Sequence, residues 1–180
     1  MLSQILSLLL QVAATLLGGA CLMRFYMQYQ RIPFRNPLGR FVMAVTDWLV
    51  LPLRKVLPKA RVDIASILGA YLISLAHYSI LWLLFGRGGY GLVPVDAIFG
   101  VAYMAIWGLI AMLVIYAILS WVRAESDAAD VLDAMLAPLL RPFRRVIPLV
   151  GGIDLSPLAL LVVLQIALIV LGGTREAVLF

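Results

Sequence analysis

The chain has 180 residues, of which 64% are hydrophobic and 13% charged, with a net charge of +5 and a mean hydropathy of +1.08. An ordinary soluble domain is about half apolar and a quarter charged, so these proportions exclude one and imply a membrane protein. A single cysteine excludes an intrachain disulfide and any cysteine cluster for metal or haem.

Crossing about 30 Å of hydrocarbon takes roughly 20 apolar residues per helix, and four segments are long enough. The first runs from about residue 2 to 23, is interrupted only by Ser3, Gln4, Ser7, Gln11 and Thr15, and is expected to stop at Arg24. With no basic leader and no convincing small-residue cleavage site, it reads as a retained span rather than a signal peptide. Cys21, inside it, reads as a packing residue.

A loop of mixed character follows. Asn36 and Pro37 supply a helix start, an N-cap followed by a residue whose missing amide costs nothing there. Leu38, Phe41, Val42, Val45, Trp48 and Leu49 then recur at helical spacing, with Arg40 and Asp47 on the other side. Residues 51–66, LPLRKVLPKARVDIAS, form a proline-bounded basic turn into the second span, about 64 to 85. His77, the only histidine, lies in that span. Tyr71, Ser74, Tyr78 and Ser79 offer partners for a neutral imidazole, and haem ligation would need a second axial ligand that no spacing supplies. Gly86, Gly88, Gly89 and Gly91 read as a flexible connection rather than a phosphate cradle, since no GK[ST] helix start follows.

The third span covers about 95 to 119. Ser126 and Asp127 are plausible caps for a second amphipathic helix, in which Ala128, Val131, Leu132, Met135 and Leu139 make one stripe and Asp127, Asp130, Asp133 and Arg141 fall mostly elsewhere. Residues 141–157, RPFRRVIPLVGGIDLSP, are a second basic turn, leading into a fourth span at about 155 to 171. Strands are excluded, because unpaired backbone cannot cross lipid and these runs are far too long for barrel strands.

The two basic turns are nearly one phrase. Pro52, Arg54, Lys55 and Pro58 lie 90 residues before Pro142, Arg144, Arg145 and Pro148, and Asp63 lies 91 before Asp154. The expected fold is therefore an all-α integral membrane protein: four transmembrane helices in two parallel repeats, 1–90 and 91–180, each with an amphipathic interfacial helix between its spans. Two spans per repeat make the repeats enter the membrane in the same sense, without the inverted symmetry associated with alternating access. Twelve of the 14 basic residues fall in the two long loops. The positive-inside rule places those loops in the cytoplasm and both termini outside. The net charge thus describes one face of a membrane protein rather than an affinity for nucleic acid.

The second turn, with its P-x-R-R-x-I-P-x-x-G-G-x-D-x-S-P string after ILSWVR at 118–123, resembles the YggT family, also called YlmG, and the first turn is a looser copy without the Gly-Gly pair. The resemblance covers nearly the whole chain. It implies a bacterial inner-membrane protein without catalytic residues, and carries family links to osmotic tolerance, cell-division gene neighbourhoods and cytochrome b maturation.

Three roles are open to the turn. In the first, Pro142 and Pro148 end the amphipathic helix and Gly151 and Gly152 let the chain dive. Asp154, Ser156 and Pro157 then open the fourth span, with Asp63 doing likewise for the second, while Arg54, Lys55, Arg144 and Arg145 meet anionic lipid headgroups. In the second, Asp154 pairs with an arginine, in its own repeat or across the pseudo-symmetric interface with Asp63, to hold two helix hairpins in a fixed register. In the third, the aspartates are cation ligands at a pore mouth. No catalytic motif, metal set or cofactor site is present in the sequence. The expected function is a non-catalytic assembly or scaffold factor binding anionic phospholipid and other membrane proteins, with a homo-oligomeric ion-transport role as the alternative.

Overall fold

The computed structural model describes residues 2–58, 63–86, 89–122, 127–147 and 154–179, so Pro148, Gly151 and Gly152 lie outside the described residues. Six helices follow one another: α1 (Leu2–Tyr29), α2 (Pro37–Val56), α3 (Ile64–Phe85), α4 (Val93–Val122), α5 (Asp127–Val146) and α6 (Ser156–Leu179). Among the described residues there is no strand. The order long helix, 20-residue helix, long helix occurs twice. Four helices are long and apolar enough to cross a membrane, and in α6, with a mean hydropathy of 2.3, only 11% of the most apolar stretch is buried. Apolar side chains left outside the packing on that scale need hydrocarbon around them, and a helix satisfies its own backbone there.

Local chemistry sets the ends. Past Tyr29 the chain turns at Arg31, whose φ of 57° is the left-handed conformation usual for glycine, while Ile32 N donates to Met27 O at 2.9 Å. Asn36 caps α2 as its sequence predicts, its Oδ1 accepting from Gly39 N at 2.7 Å. A Cβ at Gly39 would stand 2.7 Å from Phe34 Cα, so the close approach of the incoming strand of chain requires glycine. Gly86 ends α3 with φ 60°.

Three expected boundaries differ. α1 does not stop at Arg24 but continues to Tyr29, because Arg24 turns inward to polar partners and is only 2% exposed. α6 runs past residue 171 to Leu179, with Thr174 Oγ1 bonded to Val170 O and Arg175 paired to Asp96. Pro142 does not end its helix: α5 continues to Val146 with Pro138 and Pro142 inside it, and α2 likewise holds Pro52. A proline leaves the carbonyl four residues earlier unbonded. Here all three prolines lie on exposed faces, where that carbonyl can meet water or headgroups.

α4 is central, packing against α1, α3 and α6, while α2 lies on α1 and α3 and α5 lies on α4 and α6. One core joins Ile110 and Leu113 to Leu136, Leu140, Leu160 and Leu164; a second joins Cys21, Val50, Ala65 and Ala70. Cys21 is buried in it as a packing residue.

Candidate functional site

Both basic turns lie at the same end of the helices, and in each an arginine ties three helices together. Arg54, in the last turn of α2, reaches Asp63 at the start of α3 with Nε–Oδ1 3.2 Å and Nη2–Oδ2 2.5 Å, and its Nη2 also donates to Gln28 Oε1 of α1 at 3.0 Å. Arg144, in the last turn of α5, donates to Asp154 Oδ2 before α6 at 2.8 Å and to Tyr116 Oη of α4 at 2.7 Å. That hydroxyl donates in turn to Asp133 Oδ1 at 3.0 Å. Planar guanidinium groups suit such forked contacts, which fix angle as well as distance.

The aspartates differ in how they meet the helix they introduce. Asp154 Oδ1 accepts from Ser156 N at 2.9 Å, so it caps α6. Asp63 makes no such contact with an α3 amide, contrary to the capping expected of it; its carboxylate takes the Ser66 hydroxyl at 2.5 Å and Arg54 instead. Burial alone would raise the pKa of either carboxyl. At Asp63 the hydrogen bonds from Arg54 and Ser66 outweigh it, and at Asp154 those from Ser156 and Arg144, so both titrate below the ordinary value of 3.8. Pairing of aspartate with arginine inside each turn, one of the three arrangements the sequence left open, is the geometry found.

The remaining predicted residues divide. Lys55, Pro58 and Arg145 are exposed, and Pro157 is buried in the first turn of α6. Among the described residues, exposed Arg31, Arg35, Arg40, Lys55, Arg141 and Arg145 make no ion pair, whereas Arg24, Arg54, Arg144 and Arg175 do. Phe41 and Trp48 of α2 are each 62% exposed, so its apolar stripe is wider than its contact with the spans, which uses Val42, Thr46 and Val50. Beside it an apolar groove of about 590 Å³ runs between α1 and α4, floored by Gly19, Ala105 and Gly108 and closed at its basic end by Leu38 and Phe41 of α2 and Leu132 and Leu139 of α5.

Besides Arg175–Asp96, sequence reasoning missed two joints nearer the basic turns. Arg24 Nη1 donates to Thr46 Oγ1 and Asp47 Oδ1, both at 2.7 Å, fastening α2 to α1. Tyr26 Oη donates to the Met135 carbonyl at 2.8 Å, fastening α1 to α5. A signal for the second was present, since Tyr26 and Tyr116 are themselves 90 residues apart.

A family model described as CCB3/YggT matches residues 3–84 and again 95–174. The chain belongs to the CCB3/YggT family. It is 35% identical over 170 residues to the uncharacterized protein YggT of Escherichia coli K12, covering 89% of this chain and 86% of that one. An uncharacterized protein from the proC 3′ region of Vibrio alginolyticus is 33% identical over 156 residues, 84% of each chain. One from Pseudomonas aeruginosa is 33% identical over 164 residues, covering 83% of this chain and 79% of that one. No solved structure matches. Each segment matched by the CCB3/YggT model holds the arginine–aspartate joint of its own basic turn, Arg54–Asp63 in the first and Arg144–Asp154 in the second.

Proposed function

We propose that the protein is a non-catalytic assembly or scaffold factor of the bacterial inner membrane, whose basic, amphipathic cytoplasmic face binds anionic phospholipid and other membrane proteins. In this reading the two halves are parallel repeats and α2 and α5 lie at the headgroup boundary. The positive-inside distribution of the loops supports a cytoplasmic position for the basic turns, and exposed Phe41 and Trp48 suit helices bedded at the interface.

One observation carries the proposal: among the described residues, six cationic side chains at this end are exposed and make no ion pair, while Arg54 and Arg144 are engaged in fixing the helices. The surface and its fastening are thus made of different residues. Each free cation contributes about 1 kcal/mol with anionic headgroups at low salt. Replacing Arg31, Arg35, Arg40, Lys55, Arg141 and Arg145 with Gln, with Arg54 and Arg144 kept, should sharply weaken recruitment of anionic vesicles to the immobilised protein and the capture of crosslinked membrane partners. Equal recruitment of anionic and neutral vesicles by the native chain would end the lipid reading, and an identical partner set from the native and charge-stripped chains would end the docking reading.

A further inference from the structure

At the end remote from the basic turns, all four spans contribute to one polar cavity of about 240 Å³. Gln11 and Thr15 come from α1, His77 and Tyr78 from α3, Tyr103 from α4 and Arg175 from α6. The cavity begins at the level of Arg175 and reaches inward to Thr15, which stands about 14 Å along α1 from Arg24. Polar side chains at that depth are costly unless satisfied, and groups of them mark functional sites in membranes.

They are not satisfied by one another. His77 Nε2 is buried without a hydrogen-bond partner, one of two such side-chain atoms among the described residues. Among the described residues no hydrogen bond engages the side chains of Gln11, Thr15, Tyr78 or Tyr103. Arg175 is held rather than consumed: its Nε and Nη2 lie 2.8 and 2.6 Å from Asp96 Oδ1 and its Cζ stands 5.6 Å from the Tyr78 ring centroid. A guanidinium has five N–H donors, which leaves the outer Nη1 edge free.

The chemistry of this lining selects its occupant. Among the described residues its wall carries one cation, Arg175, with several hydroxyl and amide donors and no carboxylate, Asp96 lying behind Arg175 rather than in the wall. A metal cation or ammonium group would find no counter-charge. Drug-sized ligands need upwards of about 300 Å³, and a water takes about 30 Å³, so the space suits a small group with a few waters. We infer that this cavity is a binding site for a small oxyanion, a phosphate or carboxylate, gripped by Arg175 with the Tyr103 and Tyr78 hydroxyls and reached from the membrane face opposite the basic turns. The oxyanion has two possible sources, a free ion or the phosphate of a lipid headgroup.

The test uses the full chain purified in detergent and stripped of lipid. Equilibrium dialysis against radiolabelled inorganic phosphate in chloride buffer reads the free ion; retention of dihexanoylphosphatidylglycerol, measured by mass spectrometry, reads the headgroup. The native chain should bind one of the two saturably at one per chain. Tyr103→Phe, which keeps the ring and removes one hydroxyl, should weaken binding about tenfold, and Arg175→Gln at least that much. Helix content by circular dichroism identifies a variant that has merely unfolded, in which case Tyr103→Phe alone decides. Phosphate binding lost in the variants assigns a free-ion site, and lipid retention lost in the variants without phosphate binding assigns a headgroup site. Binding of neither, or binding that both folded variants leave unchanged, overturns the inference. Either failure leaves the scaffold reading intact, because that reading depends on residues at the other end of the helices.

Discussion

In α2 the side chains turned toward the spans are Val42, Thr46 and Val50, with the Arg24 guanidinium held beneath Thr46; in α5, 90 residues on, the same positions are Leu132, Leu136 and Leu140. Val114 occupies the place of Arg24 and is 40% exposed, so the second joint has no charge at its centre and closes instead on Ile110, Leu113, Leu160 and Leu164. α2 and α5 are therefore held to their neighbouring long helices by opposite means. The apolar joint is tolerant, because area burial has no direction and volume-conserving exchange costs little. The polar joint is directional: its two 2.7 Å bonds set where α2 stands on α1, and losing Asp47 would leave the buried Arg24 guanidinium without a counter-charge.

The largest effect should come from breaking that contrast. Asp47→Ala is expected to cost about 3–5 kcal/mol of stability, the usual penalty for leaving a buried charge without its counter-ion, here Arg24 at 2% exposure, read as the midpoint of unfolding in mixed detergent. Arg24→Met with Thr46→Val makes the first joint resemble the second, leaving partly exposed Asp47 to solvent, and should cost less than half as much. If the single variant were as stable as the native chain, the charge would be holding nothing and the contrast between the halves would collapse.

The paired turns sharpen the comparison at a smaller scale. Arg54→Ala leaves the Asp63 carboxylate, 4% exposed, with Ser66 alone, at a cost of about 1–3 kcal/mol. Arg144→Ala removes a partner from Asp154, whose carboxylate is 23% exposed and keeps the Ser156 amide, so about 1 kcal/mol or less is expected.

Acid titration distinguishes the mechanism. Asp63 has a folded pKa below its unfolded value, so its contribution is present above about 3.8 and is lost as the pH falls through the folded value. In Arg54→Ala burial is opposed only by Ser66 and the more distant Arg24, and the folded pKa should rise past the unfolded one. Stability should then decline as the pH climbs through that raised value, reversing the native slope. Parallel pH profiles for native and variant chains would show that Asp63 is not coupled to Arg54.

Much of this was legible in the chain. Apolar run length located four spans, Asn36-Pro37 located the start of α2 to the residue, and the recurring phrase brought both arginine–aspartate pairs into view as one of three readings, each arginine standing nine or ten residues before its aspartate. Helix ends were less legible, for a physical reason: a charge or proline reads as a stop when its partners are unknown. Arg24 and Arg175 continue their helices because Asp47 and Asp96, 23 and 79 residues away, receive them, and nothing local reports those meetings. The polar cavity was visible only as scattered Gln11, Thr15 and His77, which acquire meaning once four helices bring them to one place.

The smallest effect tests the comparison where the sequence makes the halves look identical. Gly18 and Gly108 occupy the same position 90 residues apart, and both sit inside apolar helices. A Cβ at Gly18 would press on the Met104 thioether, whereas one at Gly108 would meet nothing within 4 Å, since that face borders the open groove. Replacing glycine with alanine in a helix favours the helix by up to about 1 kcal/mol. At Gly108 that gain should appear almost undiminished, as a modest rise in the unfolding midpoint. At Gly18 it is offset by moving Met104, a flexible side chain that can yield, so the net should fall near zero or slightly below. The sign of the difference carries the argument, because α1 and α4 pack directly on each other at Gly18 but diverge at Gly108 to leave the groove. If Gly108→Ala proved the more damaging of the two, the groove would have to be filled by a close-packed partner, and the open face between α1 and α4 would be a contact surface instead.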